Sequence, residues 1–138
     1  MAYSRRVTTP YTLCRVDDAP DVFGGKYPGE MRMLTAPLAT EQVAFTYRRM
    51  PQHSGGKGSY GHRHKTQEEL YFVLSGELQF KLEDDVIDVP AGTAVRVAPG
   101  ATRSIWNERP DDAELLIMSI RMDDAREDVE QVEDFWPT

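Results

Sequence analysis

The sequence predicts an all-β domain, a small antiparallel sandwich or barrel. Two observations carry this. From residue 43 onward, short runs rich in β-branched and aromatic residues recur, each closed by Gly, Pro or Asp. Where one run can be read residue by residue, the period is two: Leu78, Phe80 and Leu82 alternate with Gln79, Lys81 and Glu83. The chain has 138 residues, the size of one domain with a core of its own.

The elements follow in order. Residues 1–30 show no periodic pattern and read as an irregular arm or an edge strand, with GGKYPGE at 24–30 as turn. Met31–Leu34 reads as a short strand. VAFTYRRM at 43–50 reads as a strand with Tyr47 and Arg49 on one face, Arg49 being taken as a solvated edge residue. PQHSGGKGSYG at 51–61 is a Gly-rich loop. Leu70–Leu74 is an apolar strand broken by Ser75-Gly76-Glu77, and Leu78–Leu82 follows. Asp84-Asp85 makes a turn, Val86–Val89 returns, and Pro90-Ala91-Gly92 turns again into Thr93–Val97. Pro99-Gly100 turns into Arg103–Trp106, and Ala113–Arg121 closes the series. The organisation expected is an arm at 1–30, a β-barrel at 31–121 and an acidic tail at 122–138. Within the tail, DDAREDVEQVEDFW at 123–136 permits a helix with a solvated charged face, with Phe135 and Trp136 docking on the body.

Composition excludes several functions. A net charge of −7 disfavours nucleic acid and anionic membrane surfaces as partners, because both need clustered Lys and Arg. No apolar run approaches the roughly 20 residues that cross a bilayer. MAYSRRVTTPYTL lacks the apolar segment of a secretion signal, and Cys14 is the lone cysteine. These features fit a soluble, cytoplasmic protein.

The stretch GHRHKTQEELYFVLSGE, 61–77, carries the chemistry. On a strand, residues two apart share a face, about 6.6 Å apart along the chain. His62 and His64 therefore project together while Arg63 projects away. Two imidazoles on one face can share a cation at about 2.0–2.1 Å. A carboxylate added to them makes a 2-His-1-carboxylate set with positions open for small molecules. Parity leaves the carboxylate open. An unbroken strand places Glu68 with His64; Glu69 serves only if Lys65-Thr66-Gln67 bends. The same His-x-His also fits two surface residues with no metal.

The spacing Gly56-x5-His62-x-His64-x4-Glu69-x6-Gly76 resembles the first motif of the cupin superfamily. GTAVRVAPGATRSIWN resembles the second, with Gly92, Pro99, Gly100 and Asn107 at its turn glycine, Pro-Gly and final Asn. The two motifs cover 56–107, and the flanking strands extend the likeness to about 31–121. The resemblance implies a double-stranded β-helix, jelly-roll-like, with a site in its lumen. It implies a divalent transition metal (Fe, Mn, Ni, Cu or Zn) held by His62, His64 and Glu69, which selects the bend. It also implies a homodimer, in which the N-terminal region can pack on a partner.

One residue departs from the pattern. Arg103 stands where the second motif has a His ligand, and a guanidinium offers five donors and no acceptor. Three outcomes stay open: a metal with three protein ligands, an ion pair of Arg103 with Glu69 in a metal-free barrel, or Arg103 gripping an anionic ligand. By alternation Tyr71 and Val73 follow Glu69, and Ile105 and Asn107 follow Arg103. Arg103, Tyr71 and Asn107 are thus the candidate substrate-binding side chains, although an aromatic on a strand, as Tyr71 is, ordinarily belongs to the core. Trp106 falls on the opposite face. His53 reads as a solvated loop residue and Cys14 as a small core residue. No Ser-His-Asp set, phosphate-binding Gly loop or CxxC pair points elsewhere.

Two function classes follow, beside a third reading as a structural or vestigial barrel whose site is filled by side chains. One is a metal-dependent enzyme acting on a small organic molecule, dioxygenase-like first and otherwise of isomerase or decarboxylase type. The other is a metal-free or non-catalytic module that binds a small anion through Arg103. No DNA-reading domain is expected beside the barrel, and the catalytic residues stay unassigned.

Overall fold

Tight turns set the strand ends. Gly76, Gly92 and Gly100 all have φ between 74° and 84°, a region that costs other residues more than glycine. Each ends one strand and lets the next fold back. The structure, a computed structural model, describes residues 10–138; the part of the expected arm at 1–9 lies outside these.

The strands are β1 (Glu30–Met33), β2 (Val43–Met50), β3 (Ser54–Gly55), β4 (Ser59–His64), β5 (Glu69–Ser75) and β6 (Glu77–Leu82). They continue as β7 (Asp85–Pro90), β8 (Ala94–Val97), β9 (Arg103–Asn107), β10 (Ala113–Ile120) and β11 (Val129–Trp136). One-turn helices α1 (Thr35–Leu38) and α2 (Ala125–Asp128) lie between strands. One sheet runs β1-β2-β10-β5-β8, and the other runs β11-β4-β9-β6-β7 with β3 pairing β9. All the pairings are antiparallel. The two sheets face each other as a double-stranded β-helix, the all-β fold that the sequence predicts.

The inner faces meet over a core that includes Met50, Tyr71, Val73, Leu78, Phe80 and Leu115. Period two explains it. Leu78 and Phe80 are sealed inside β6, while Gln79 and Lys81 are not. A second, smaller cluster joins Ala19 of the arm to Leu34 and Tyr47. The outer face of β2 is therefore covered by this chain's own residues 14–19, and Tyr47 lies beneath that cover.

Two expectations are corrected. The loop at 51–61 contains strand β3 and the start of β4. The tail at 123–136 is mostly strand: only 125–128 is helical, and β11 pairs β4 through Val129↔His64 and Gln131↔His62. Its acidic residues suit an edge strand, where charge deters pairing with other chains. Trp136 is buried, as expected of a docking residue. Phe135 lies so near Gly61 that a Cβ there would meet its ring at 2.4 Å and Arg103 O at 2.7 Å. Gly61 thereby lets β4, β9 and β11 approach one another beside the site. No helix among the described residues is long and apolar enough to cross a membrane.

Candidate metal centre

The centre begins with the bend between β4 and β5. A straight strand would turn Glu69 away from the histidines. Instead Lys65–Glu68 leaves the six-stranded sheet and crosses to the five-stranded one. Asp128, at the end of α2, holds this crossing. Its Oδ1 accepts from Thr66 N (2.9 Å) and Thr66 Oγ1 (2.5 Å), its Oδ2 accepts from Gln67 N (3.0 Å), and its own carbonyl accepts from Lys65 N (2.8 Å). The buried Gln67 side chain donates to Ile120 O at 2.8 Å and so ties the bend to β10.

The bend brings His62, His64 and Glu69 together, with one donor atom from each inside 4.8 Å of the others. His62 Nε2 lies 3.9 Å from Glu69 Oε1 and His64 Nε2 lies 3.6 Å from Glu69 Oε2. The imidazole rings are 5.3 Å apart and nearly perpendicular. Two donors that each bond a common ion at ~2.1 Å stand about 3–4 Å apart, so this set fits a divalent cation with little movement. The fit has a second support. His64 Nδ1 is buried and 3.3 Å from Asp128 Oδ2, close enough for an ion pair though outside hydrogen-bond geometry, and it makes no hydrogen bond among the described residues. A carboxylate behind Nδ1 favours the tautomer that leaves Nε2 a free lone pair toward the site.

Arg103 sits directly across from His62 in the β4–β9 register. It is fully buried, and all three of its nitrogens are engaged. Nη2 donates to Glu69 Oε1 at 2.5 Å, Nε donates to Tyr71 Oη at 3.1 Å, and Nη1 donates to Ala101 O at 3.1 Å. Tyr71 Oη in turn donates to Glu69 Oε1 at 2.6 Å. Of the open outcomes, the Arg103–Glu69 ion pair is thus formed, and it occupies Oε1 while Oε2 stays turned toward His64. Burial alone would raise the Glu69 carboxyl, but the adjacent His62 and His64 imidazoles and the hydrogen bonds from Tyr71 and Arg103 outweigh it and hold the group well below the usual carboxylate range. Burial pushes the Tyr71 phenol up, and the Glu69 charge adds to this.

His62, Glu69, Tyr71 and Arg103 line a cavity of about 500 Å³ that opens beneath the arm. Asn107 does not line it. Its amide donates to Met50 O (2.8 Å) and Asp111 O (2.9 Å), and its carbonyl accepts from Arg109 N (2.8 Å), holding the 108–112 turn. His53 stands at the surface with Trp106 and Glu108, apart from the centre. Sequence reading missed two residues. In the sequence, Asp128 reads as part of a solvated acidic face. Arg48 shares the cavity wall with Thr46, on the face of β2 opposite Tyr47 and Arg49. No hydrophobic period marks a guanidinium on an inner face, so only the strand parity signals it.

Two closed sheets whose lumen gathers two imidazoles and a carboxylate define a cupin-type β-barrel with a candidate metal centre. The chain belongs to that family: the family model described as "Cupin domain" matches residues 49–119. Among solved structures, it is similar to a cupin protein from Bacteroides fragilis, with 22% identity over 84% of this chain and 88% of that one and a TM-score of 0.67. It is similar to a predicted oxalate decarboxylase from Thermotoga maritima, with 24% identity over 80% of this chain and 100% of that one and a TM-score of 0.66. It is also similar to a polyketide cyclase from Streptomyces resistomycificus, with 16% identity over 79% and 78% and a TM-score of 0.65. At these identities the likeness shows the fold alone. None of the curated proteins matches the sequence.

Proposed function

We propose that this cupin is a metal-dependent enzyme acting on a small organic molecule in its cavity, with dioxygenase-like chemistry as the first assignment. The observation that carries this is the convergence of His62, His64 and Glu69, with one donor atom from each inside 4.8 Å of the others and Asp128 behind His64. These three atoms would hold a divalent transition metal. Two His and one carboxylate are the set that leaves ferrous iron with open positions, where the metal can polarise a substrate oxygen or bind O₂.

The chain's own residues supply the rest. Arg103 and Tyr71 bond Glu69 Oε1 and keep the carboxylate ionised, so it stays ready as a ligand. The Arg103 charge lies beside the centre, but its pairing with Glu69 offsets it. Asp128 fixes the His64 ring. Phe23, Met31 and Met33 make the cavity wall partly apolar, which limits water and suits an organic ligand. The anion-gripping role considered for Arg103 meets a guanidinium already committed to protein partners.

Elemental analysis of untagged protein tests the reading. It expects about one equivalent of transition metal per chain, lost in His62→Ala. Metal-free protein that also fails to take up Fe(II), Mn(II) or Zn(II) on dialysis would overturn it.

A further inference from the structure

The cavity wall holds a cation that the proposed centre does not use. Arg48 lies on β2, with its guanidinium 5.6 Å from the Phe23 ring centroid. Its Nε is buried and makes no hydrogen bond, and among the described residues no carboxylate is within ion-pair reach of it. Its neighbours differ. Arg103 has three protein acceptors, and Arg32 and Arg49 share Glu30. A guanidinium withdrawn from water without an anion is unfavourable, and arginine cannot relieve this by losing its proton. The Phe23 face offers a cation–π contact, but that leaves the in-plane N–H edges uncommitted. The cavity as a whole also favours an anion. Two guanidiniums line it against one carboxylate, Glu69, which Arg103 already neutralises.

We propose that the cavity binds a small carboxylic acid, its carboxylate paired with Arg48 and its apolar body against Phe23, Met31 and Met33. This rests on the reading of the cavity as the substrate pocket, but not on the metal. The fork of N–H groups matches a carboxylate in two parallel hydrogen bonds. A phosphate fits less well, because a dianion calls for several converging donors and the wall near Arg48 is apolar. The arrangement divides the pocket: the acid head is held at β2, and the remainder of the molecule reaches toward His62 and Glu69 across the lumen.

The test uses the full chain after EDTA treatment. Probes are hexanoate, benzoate, their neutral amides hexanamide and benzamide, and inorganic phosphate, followed by melting-temperature shift and calorimetric titration. The variants are Arg48→Gln and Arg48→Lys. Co(II) absorption on each variant reads the His62-His64-Glu69 set independently and reports that the fold is intact. At least one acid is expected to bind the wild type more tightly than its amide. Its affinity should fall tenfold or more in Arg48→Gln and less in Arg48→Lys, with Co(II) binding unchanged. Equal binding of acid and amide, acid binding indifferent to Arg48→Gln, no acid binding, or binding of phosphate alone each overturn the proposal. If Co(II) fails to bind the wild type while acid binding still depends on Arg48, the metal reading falls and this one stands.

Discussion

Asp128 shows how one side chain does two jobs. Its carboxylate caps the Lys65–Glu68 crossing and stands behind His64 Nδ1. Carboxylates that orient a ligating imidazole typically matter about 10–100-fold in metal affinity. Asp128→Asn loses the charge and one of the two oxygens that accept at the crossing, so Zn(II) affinity should drop by at least about that factor and the crossing should loosen; competition against a chromophoric chelator reads the first and the urea midpoint reads the second. Arg103 makes the opposite case. Removing one partner of a buried ion pair strands the other, at a cost of about 3–5 kcal/mol. Arg103→Met should lower stability to urea by roughly 3 kcal/mol in EDTA, and Glu69→Gln in the same chain should recover most of the loss, because no charge is then left alone. Equal losses in the single and double variants would contradict a dominant Arg103–Glu69 coupling. At this scale the sequence was half legible. The histidines and Glu69 stand in a fixed spacing, whereas Asp128 lies 59 or more positions downstream in an acidic run that reads like any solvated face.

Strands with clean alternation or tight turns were readable at their own level. β2 runs Val43–Met50, matching the expected segment, and β6 and β10 fall within a residue of theirs. β11 was not readable, because an edge strand carries charge on one side and shows little apolar period; Val129–Trp136 has Glu130, Glu133 and Asp134 interleaved. Nor did pattern show which face of β2 turns inward, since Tyr47 and Arg48 are both large and polar-tipped. The β1–β2 pair also carries a pH dependence. Hydrogen bonds from Arg49 and Arg32 hold the Glu30 carboxyl below its ordinary value of 4.5. A lowered folded-state value means that the contribution is present above about pH 4.5 and is lost as pH falls through the folded value. Glu30 is partly exposed, so screening keeps the term small. Glu30→Gln should be less stable than wild type by at most about 1 kcal/mol at pH 7, and the two urea midpoints should converge as pH drops below 4.5. A gap that widens toward acid would contradict the sign.

Across the whole molecule, the candidate centre spans the two sheets. His62 and His64 come from β4 of the six-stranded sheet, and Glu69 comes from β5 of the five-stranded sheet. An ion held by all three is therefore a clasp between layers that otherwise meet through apolar packing and, beside the centre, the bonds of Arg103 to Glu69 and Tyr71. An ion that binds only the folded chain stabilises it by about 2.7 kcal/mol when free metal is a hundredfold above its dissociation constant. At roughly 2–8 °C per kcal/mol for domains near this size, EDTA should lower the melting temperature by on the order of 10 °C. Since the clasp joins both sheets, loss of metal should shift one cooperative transition rather than split it. Far-UV circular dichroism and the fluorescence of Trp106 and Trp136, both in the six-stranded sheet, should move together. His62→Ala should melt at the same temperature with or without EDTA, because its clasp is already missing one ligand. A wild type that melts identically in EDTA and in Zn(II) or Mn(II) would show that the three side chains meet without holding an ion, and the Arg103–Glu69 pair would then be what holds the two sheets together there.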